Sequence, residues 1–234
     1  MKQGKRQLCA GLSLLVLFWS WTVLIQIVDV QAAGETGTEI GFAGINRWFH
    51  ELTGVHMGIY TATDWLGLVP VFVCLLFGAV GFAQMVGRKS LLKVDTDIIL
   101  LGLYYVLVVG CYLVFEMYPI NYRPILIEGR MEASYPSSTT LLVLSVMPTL
   151  VFQTQRRLKS EGWKKTVALL TILFSAAMVV GRLVSGVHWM TDIVGSVLLS
   201  GGLFCLYRAA VLLWADSRVD RRFLRWNFTK NFRN

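Results

Sequence analysis

The sequence predicts an all-α integral membrane protein, a bundle of six transmembrane helices with both termini in the cytoplasm. Three observations predict this. Of 234 residues, 55% are hydrophobic and only 15% charged, and the mean hydropathy is +0.59. The apolar residues gather into six stretches, most of them close to the ~20 residues that cross a bilayer. The basic residues collect at alternate ends of those stretches, which is the positive-inside pattern.

Taken in order, Lys2, Lys5 and Arg6 precede a first span at Leu8–Val28. Val30-Gln31-Ala32-Ala33 then resembles a signal-peptide cleavage site, but the apolar run before it, about 21 residues, exceeds a usual signal core, so a retained span is expected. Gly34-Glu35-Thr36-Gly37 reads as an outer turn. Ile40–Leu52 has the spacing of a short amphipathic helix, with Trp48 and Phe49 suited to the lipid interface; a loop packed over the bundle is the alternative. The second span, Trp65–Val86, is followed by Arg88, Lys89 and Lys93, and the third runs from Asp97 to Tyr118. An unusually polar outer loop, Tyr118–Pro136, leads to a short fourth span, Ser137–Phe152, which must borrow flanking residues. Arg156, Arg157, Lys159, Lys164 and Lys165 separate it from the fifth span, Thr166–Val184. Met190–Leu213 forms the sixth, and residues 215–234 are a basic cytoplasmic tail with Arg218, Arg221, Arg222, Arg225, Lys230 and Arg233. The whole chain, 1–234, is one membrane domain.

This distribution of basic residues argues against nucleic acid as the partner behind the net charge of +8. The tail instead suits topology and contact with anionic lipid headgroups. Cys9, Cys74, Cys111 and Cys205 fall inside spans without metal or disulfide spacing and read as core residues. His50 and His56 lack a partner at ligand spacing and read as interfacial.

Six-span topology brings three distant segments to one outer surface: the 118–136 loop, the start of span four and the junction of spans five and six. That junction reads Gly181-Arg182-x5-His188-x3-Asp192. His188 and Asp192 are four apart and share a helix face. A carboxylate behind an imidazole fixes its tautomer and stabilises its charged form. A guanidinium suits phosphate oxygens. Ionisable groups at membrane depth are costly and therefore mark function.

Over roughly Leu100–Leu213, and in its six-span layout, the chain resembles the type 2 phosphatidic acid phosphatase (PAP2) family, membrane relatives of the vanadium haloperoxidases. A PAP2-like core is expected at about 65–213. Of the family signatures K-x6-R-P, P-S-G-H and S-R-x5-H-x3-D, the third is present with Gly181 for Ser. The first keeps Arg123-Pro124 but has Glu116 for Lys. The second reads Pro136-Ser137-Ser138-Thr139, with Thr for His.

The resemblance implies a phosphohistidine mechanism that needs no metal or other cofactor. His188 would be the nucleophile and Asp192 its orienting partner, with Arg123 and Arg182 on the phosphate oxygens. Ser137, with the helix N-terminus at Ser138 and Thr139, would complete the cradle, since free N–H groups there favour an anion. Thr139 cannot protonate a leaving group as the family His does, which favours a good leaving group such as a diphosphate. Glu116 would repel phosphate unless it is protonated, binds a cation, or pairs with Arg123 or Arg130, and Arg130 is a candidate third phosphate contact. The expected activity is hydrolysis of a lipid phosphate monoester or diphosphate (phosphatidic acid, phosphatidylglycerol phosphate or an isoprenyl diphosphate) at an outward-facing site in a bacterial plasma membrane. A phosphoryl transferase is a variant of that reading, and a non-catalytic lipid-phosphate binder or transporter is the alternative.

Overall fold

The computed structural model describes residues 1–35 and 37–231, with side chains as far as 215. The chain forms eight α-helices, a short 3-10 helix (Leu91–Lys93) and one β-ribbon among these residues: α1 (Lys2–Ile27), β1 (Gln31–Ala33), β2 (Thr38–Ile40), α2 (Ala43–Thr53), α3 (Met57–Leu66), α4 (Leu68–Arg88), α5 (Thr96–Met117), α6 (Ser138–Arg157), α7 (Glu161–Val184) and α8 (Met190–Asn231). The cationic side chains of the tail lie outside the described residues.

Among the described residues five segments are long and apolar enough to span a membrane: α1, α3 with α4, α5, α7, and α8 as far as Ala215. The fourth expected span, α6, has the length but not the hydropathy. It runs 20 residues, longer than Ser137–Phe152, and buries Thr140, Ser145, Thr149 and Gln153 completely. Thr140 accepts from Ser137 Oγ at 3.1 Å, neighbouring helices meet Thr149 and Gln153, and the Ser145 hydroxyl is buried without a hydrogen-bond partner among the described residues. Tyr104 Oη donates to the Ser145 carbonyl at 2.9 Å, Tyr105 and Thr149 share a 2.7 Å hydrogen bond, and Gln153 Nε2 donates to Tyr207 Oη at 2.6 Å. A helix enclosed by others needs no continuous apolar surface, which is why its pattern reads weakly.

The first helix packs antiparallel along α8. An added Cβ at Gly11 would lie 2.8 Å from Leu206 and 3.0 Å from the Gly202 carbonyl, so two glycines set this close approach. At the other end Trp21 Nε1 donates to the Thr191 carbonyl at 3.1 Å, and Thr22 and Tyr135 hydroxyls lie 2.7 Å apart. The first span is thus integrated into the bundle, and Gln31–Ala33, inside the cleavage-like sequence, pairs antiparallel with Thr38–Ile40.

The amphipathic segment is a helix packed on the bundle. Ala43 and Asn46 of α2 are buried, while Trp48 and Leu52 are exposed. Asn46 bonds both the N–H and the hydroxyl of Thr191, anchoring the start of α8. The second span starts eight residues earlier than its apolar pattern indicates. Met57–Leu66 is helical, and α4 follows after Gly67, whose N–H is 3.0 Å from both the Thr63 and Asp64 carbonyls.

Candidate phosphoryl-transfer site

The 118–136 loop folds as a short two-armed hairpin. Glu128 and Gly129 have φ of 49° and 73°, the two positive values of a type I′ turn. Bridges join Ile127 to Arg130 and Tyr122 to Ala133. The arms are tied by Arg123 N–H to the Glu132 carbonyl and Ser134 N–H to the Asn121 carbonyl, both 3.1 Å. Alternation along each arm puts Asn121 and Arg123 beside Ser134 and Glu132.

Between α7 and α8 the chain turns at Gly186, with φ of 71°; an added Cβ there would sit 2.1 Å from the Gly54 carbonyl. This turn presents His188, which is 3% exposed, and Asp192 on the first turn of α8 is fully buried. His188 Nδ1 is 3.8 Å from Asp192 Oδ2, beyond hydrogen-bond range. Ser134 bridges the gap: its Oγ is 3.1 Å from His188 Nδ1 and donates to Asp192 Oδ2. Asp192 also accepts from Asn121 Nδ2 at 3.0 Å and from the Trp189 N–H at 2.9 Å.

The tautomer follows from the partners. Arg182 Nη2 lies 3.2 Å from His188 Nε2, and a guanidinium only donates, so Nε2 carries the lone pair and Nδ1 the proton. Nδ1 also lies 3.2 Å from the Ser134 carbonyl, a second acceptor for that proton. The imidazole pKa is pulled down from 6.5 to about 4, chiefly by burial, with Arg123 and Arg182 adding to the fall and Asp192 opposing it. At neutral pH His188 is therefore a neutral, oriented imidazole.

Both arginines are buried, Arg182 to 1% and Arg123 to 8% exposure. Both lie over the Tyr60 ring, at 4.8 and 5.8 Å. Arg182 also reaches Thr63 Oγ1 at 3.5 Å and Asp64 at 3.8 Å, while Arg123 pairs with Glu132 at 3.1 Å. Arg123 Nε and Nη1 and Arg182 Nε are nonetheless buried without a hydrogen-bond partner. Unsatisfied guanidinium donors beside an imidazole lone pair make an anion site.

His188, Asp192, Arg182 and Arg123 therefore come together. Ser137 is fully buried at the N-cap of α6, but its hydroxyl donates to Thr140 and its N–H faces the Asp192 carbonyl at 3.5 Å, so it positions the helix rather than offering a free hydroxyl. Ser138 lines a cavity of about 220 Å³ with Glu116, Arg123 and Glu132. Thr139 packs beneath the α3–α4 junction, its Cγ2 3.5 Å from where a Cβ on Gly67 would stand. Glu116 forms no ion pair with Arg123 or Arg130 among the described residues; the carboxylate on Arg123 is Glu132. Arg130 is exposed in the hairpin turn, with no contact to the cluster among the described residues.

Ser134, Asn121 and the α3 face of Tyr60, Thr63 and Asp64 were not singled out from the sequence. The period-two spacing of Asn121-x-Arg123 and Glu132-x-Ser134 about Glu128-Gly129 signals the hairpin. The i, i+3, i+4 spacing of Tyr60, Thr63 and Asp64 signals one helix face. The same α3 face explains Gly181, since a Cβ there would lie 2.7 Å from Thr63 Cγ2.

No curated protein sequence matches the chain significantly. In fold it is similar to the crystal structure of a transmembrane PAP2-type phosphatidylglycerolphosphate phosphatase from Bacillus subtilis, with a TM-score of 0.61 and 17% identity over 85% of this chain and 94% of that one. The PAP2 superfamily profile matches residues 97–215, which hold α5, the hairpin and every residue of the His188–Asp192–Arg182–Arg123 cluster. The chain is an integral membrane protein of the PAP2 superfamily.

Proposed function

We propose that this protein is a lipid phosphatase that removes phosphate from a lipid monoester or diphosphate through a phosphohistidine intermediate. The observation that carries the reading is the pair of buried, incompletely bonded guanidiniums, Arg123 and Arg182, beside the lone pair of His188 Nε2. Phosphatidic acid, phosphatidylglycerol phosphate and isoprenyl diphosphates are the substrate candidates; the Bacillus subtilis protein is a phosphatidylglycerolphosphate phosphatase.

An arriving phosphoryl group takes over the free N–H groups of Arg123 and Arg182 and the first-turn N–H groups of α6, which lack intrahelical acceptors. His188 Nε2 forms a bond to phosphorus as the ester oxygen leaves on the opposite side. The ring becomes cationic and keeps its Nδ1 proton, which Ser134 and the Asp192 carboxylate stabilise. Water then attacks phosphorus, the N–P bond breaks, and phosphate departs. Thr139 supplies no proton to the leaving oxygen, so an alkoxide draws one from water, whereas a phosphate leaving group needs none. This favours diphosphates.

The six-span arrangement has α6 as the enclosed fourth span, both termini in the cytoplasm and the site facing outward. The charge distribution supports that orientation.

Phosphate release by the purified protein from lipid mono- and diphosphates, beside His188→Ala, tests the reading. Release that depends on His188 supports it. Lipid phosphate bound with no release by the wild type means a binding protein instead.

A further inference from the structure

Arg208 is a cation inside the span formed by α8, and the phosphatase reading gives it no role. It lies roughly four and a half turns beyond Asp192, about 24 Å along the helix axis, toward the membrane face opposite His188. A charged side chain within a span is costly without a partner. Among the described residues Arg208 has no carboxylate and no hydrogen-bond acceptor, and its Nε is buried and unbonded. Its neighbours are two rings, Phe152 at 5.4 Å and Phe204 at 5.8 Å. Ring contacts hold the cation but leave its N–H donors unspent. Arg208 lines a cavity of about 350 Å³ between α6, α7 and α8. Gln155 of α6 and Thr171 and Ser175 of α7 line it too, and among the described residues none of the three makes a side-chain hydrogen bond. Thr171 and Ser175 are four apart and share a helix face. Leu144, Val151 and Ile172 supply an apolar wall, with Leu144 about three turns deeper along α6 than Gln155.

We propose that this cavity binds an anionic phospholipid of the leaflet opposite the phosphoryl site. Its phosphate sits on Arg208, its ester groups accept from Gln155, Thr171 and Ser175, and an acyl chain runs along Leu144, Val151 and Ile172. An arginine that only reaches out to headgroup water needs no such lining. The charge balance selects the headgroup. Arg208 is not neutralised among the described residues, and Arg156, 5.5 Å from the same Phe152 ring, brings a second guanidinium whose carboxylate, Asp97, is 3.5 Å away. A headgroup with its own ammonium is repelled there, whereas a glycerol headgroup is not. The lipid joins three helices that carry Thr139, Arg182 and Asp192 at their other ends. It is a structural ligand of the bundle, independent of the phosphoryl chemistry, and takes no part in bond breaking.

Native mass spectrometry and melting curves of the purified full-length protein in detergent test the site. The probes are phosphatidylglycerol, phosphatidylcholine with the same acyl chains, and inorganic phosphate. The wild type is expected to retain phosphatidylglycerol at concentrations where phosphatidylcholine is lost, and to melt at a higher temperature with it, because the lipid binds the folded chain. Arg208→Gln should weaken that binding roughly 10- to 100-fold, the value of one hydrogen bond to a charged group. Thr171→Val, which keeps the side-chain shape, should weaken it by a smaller factor. Unchanged affinity in a folded Arg208→Gln protein overturns the site, and this is also the outcome if phosphatidylglycerol is held at Arg123 and Arg182 instead. Equal retention of phosphatidylcholine overturns the anionic preference and with it the proposal. A melting shift by inorganic phosphate equal to that by the lipid, and lost in Arg208→Gln, marks an anion site without a lipid and likewise overturns it. If Arg208→Gln does not fold, the double variant Thr171→Val, Ser175→Ala decides, and wild-type affinity for phosphatidylglycerol in it refutes the site.

Discussion

Replacing Ser134 with alanine isolates the bridge between nucleophile and carboxylate. In the native site His188 Nδ1 is 3.8 Å from Asp192 and 3.1 Å from Ser134 Oγ, which donates onward to Asp192. Ser134→Ala leaves Nδ1 one acceptor, the Ser134 carbonyl at 3.2 Å, and leaves the carboxylate across a gap. What is lost is the relay through which the Asp192 carboxylate supports the Nδ1 proton, a hydrogen bond to an ionised acceptor worth about 1.5–3 kcal/mol, and its loss weighs most when the ring becomes cationic. At about 1.4 kcal/mol per tenfold, kcat should fall roughly 10- to 100-fold, with little change in KM because the phosphate contacts of Arg123 and Arg182 remain. Phosphate release against substrate concentration, beside a melting curve in detergent, gives both parameters and checks the fold. Wild-type kcat in a folded Ser134→Ala protein would show that Asp192 reaches His188 directly and would refute the bridge. A fall confined to KM would refute it as well.

The pH profile follows from the burial of His188. In the proposed mechanism the nucleophile is the neutral imidazole, whose pKa is lowered from 6.5 to about 4, so the acid limb of kcat/KM should bend near pH 4; a limb near 6.5 would mean an ordinary, hydrated histidine. The sign for stability agrees: between those values the unfolded chain binds the proton and the folded one does not, so stability is lost as pH falls from 6.5 toward 4. Thr139→His restores a proton donor and should raise activity on monoesters relative to diphosphates, measured as the ratio of kcat/KM; an unchanged ratio sinks the leaving-group argument. Gly181→Ser should lower thermal stability by about 1–3 kcal/mol because its Cβ meets Thr63 Cγ2 at 2.7 Å. Thr63→Ser removes that methyl and should restore it, and failure of the double variant to recover would show that the contact is not the cause. Cysteine labelling should find Arg130→Cys accessible from outside intact cells and Ser160→Cys only after permeabilisation; the reverse pattern overturns the proposed orientation.

Composition and the spacing of apolar runs were enough to define an all-helical membrane protein, because crossing hydrocarbon imposes length and hydropathy on each lipid-facing helix. Arg182, His188 and Asp192 were legible for a related reason: a turn and one helical repeat hold them close in sequence. The α6 span was the weakest in sequence because its surface is covered by neighbouring helices that satisfy Thr149 and Gln153. Arg123 was found through a motif, but its pairing with Glu132 depends on hairpin register. Ser134 as the bridge, Asn121 behind Asp192, and Tyr60 beneath both arginines required the folded chain. These contacts join residues 54 to 122 positions apart, and no local periodicity records which loop will close over which helix. The roles of single residues in the 118–136 hairpin were decided by tertiary structure for the same reason: Arg130 and Arg123 have the same chemistry, but a type I′ turn leaves one exposed and strand alternation buries the other beside His188.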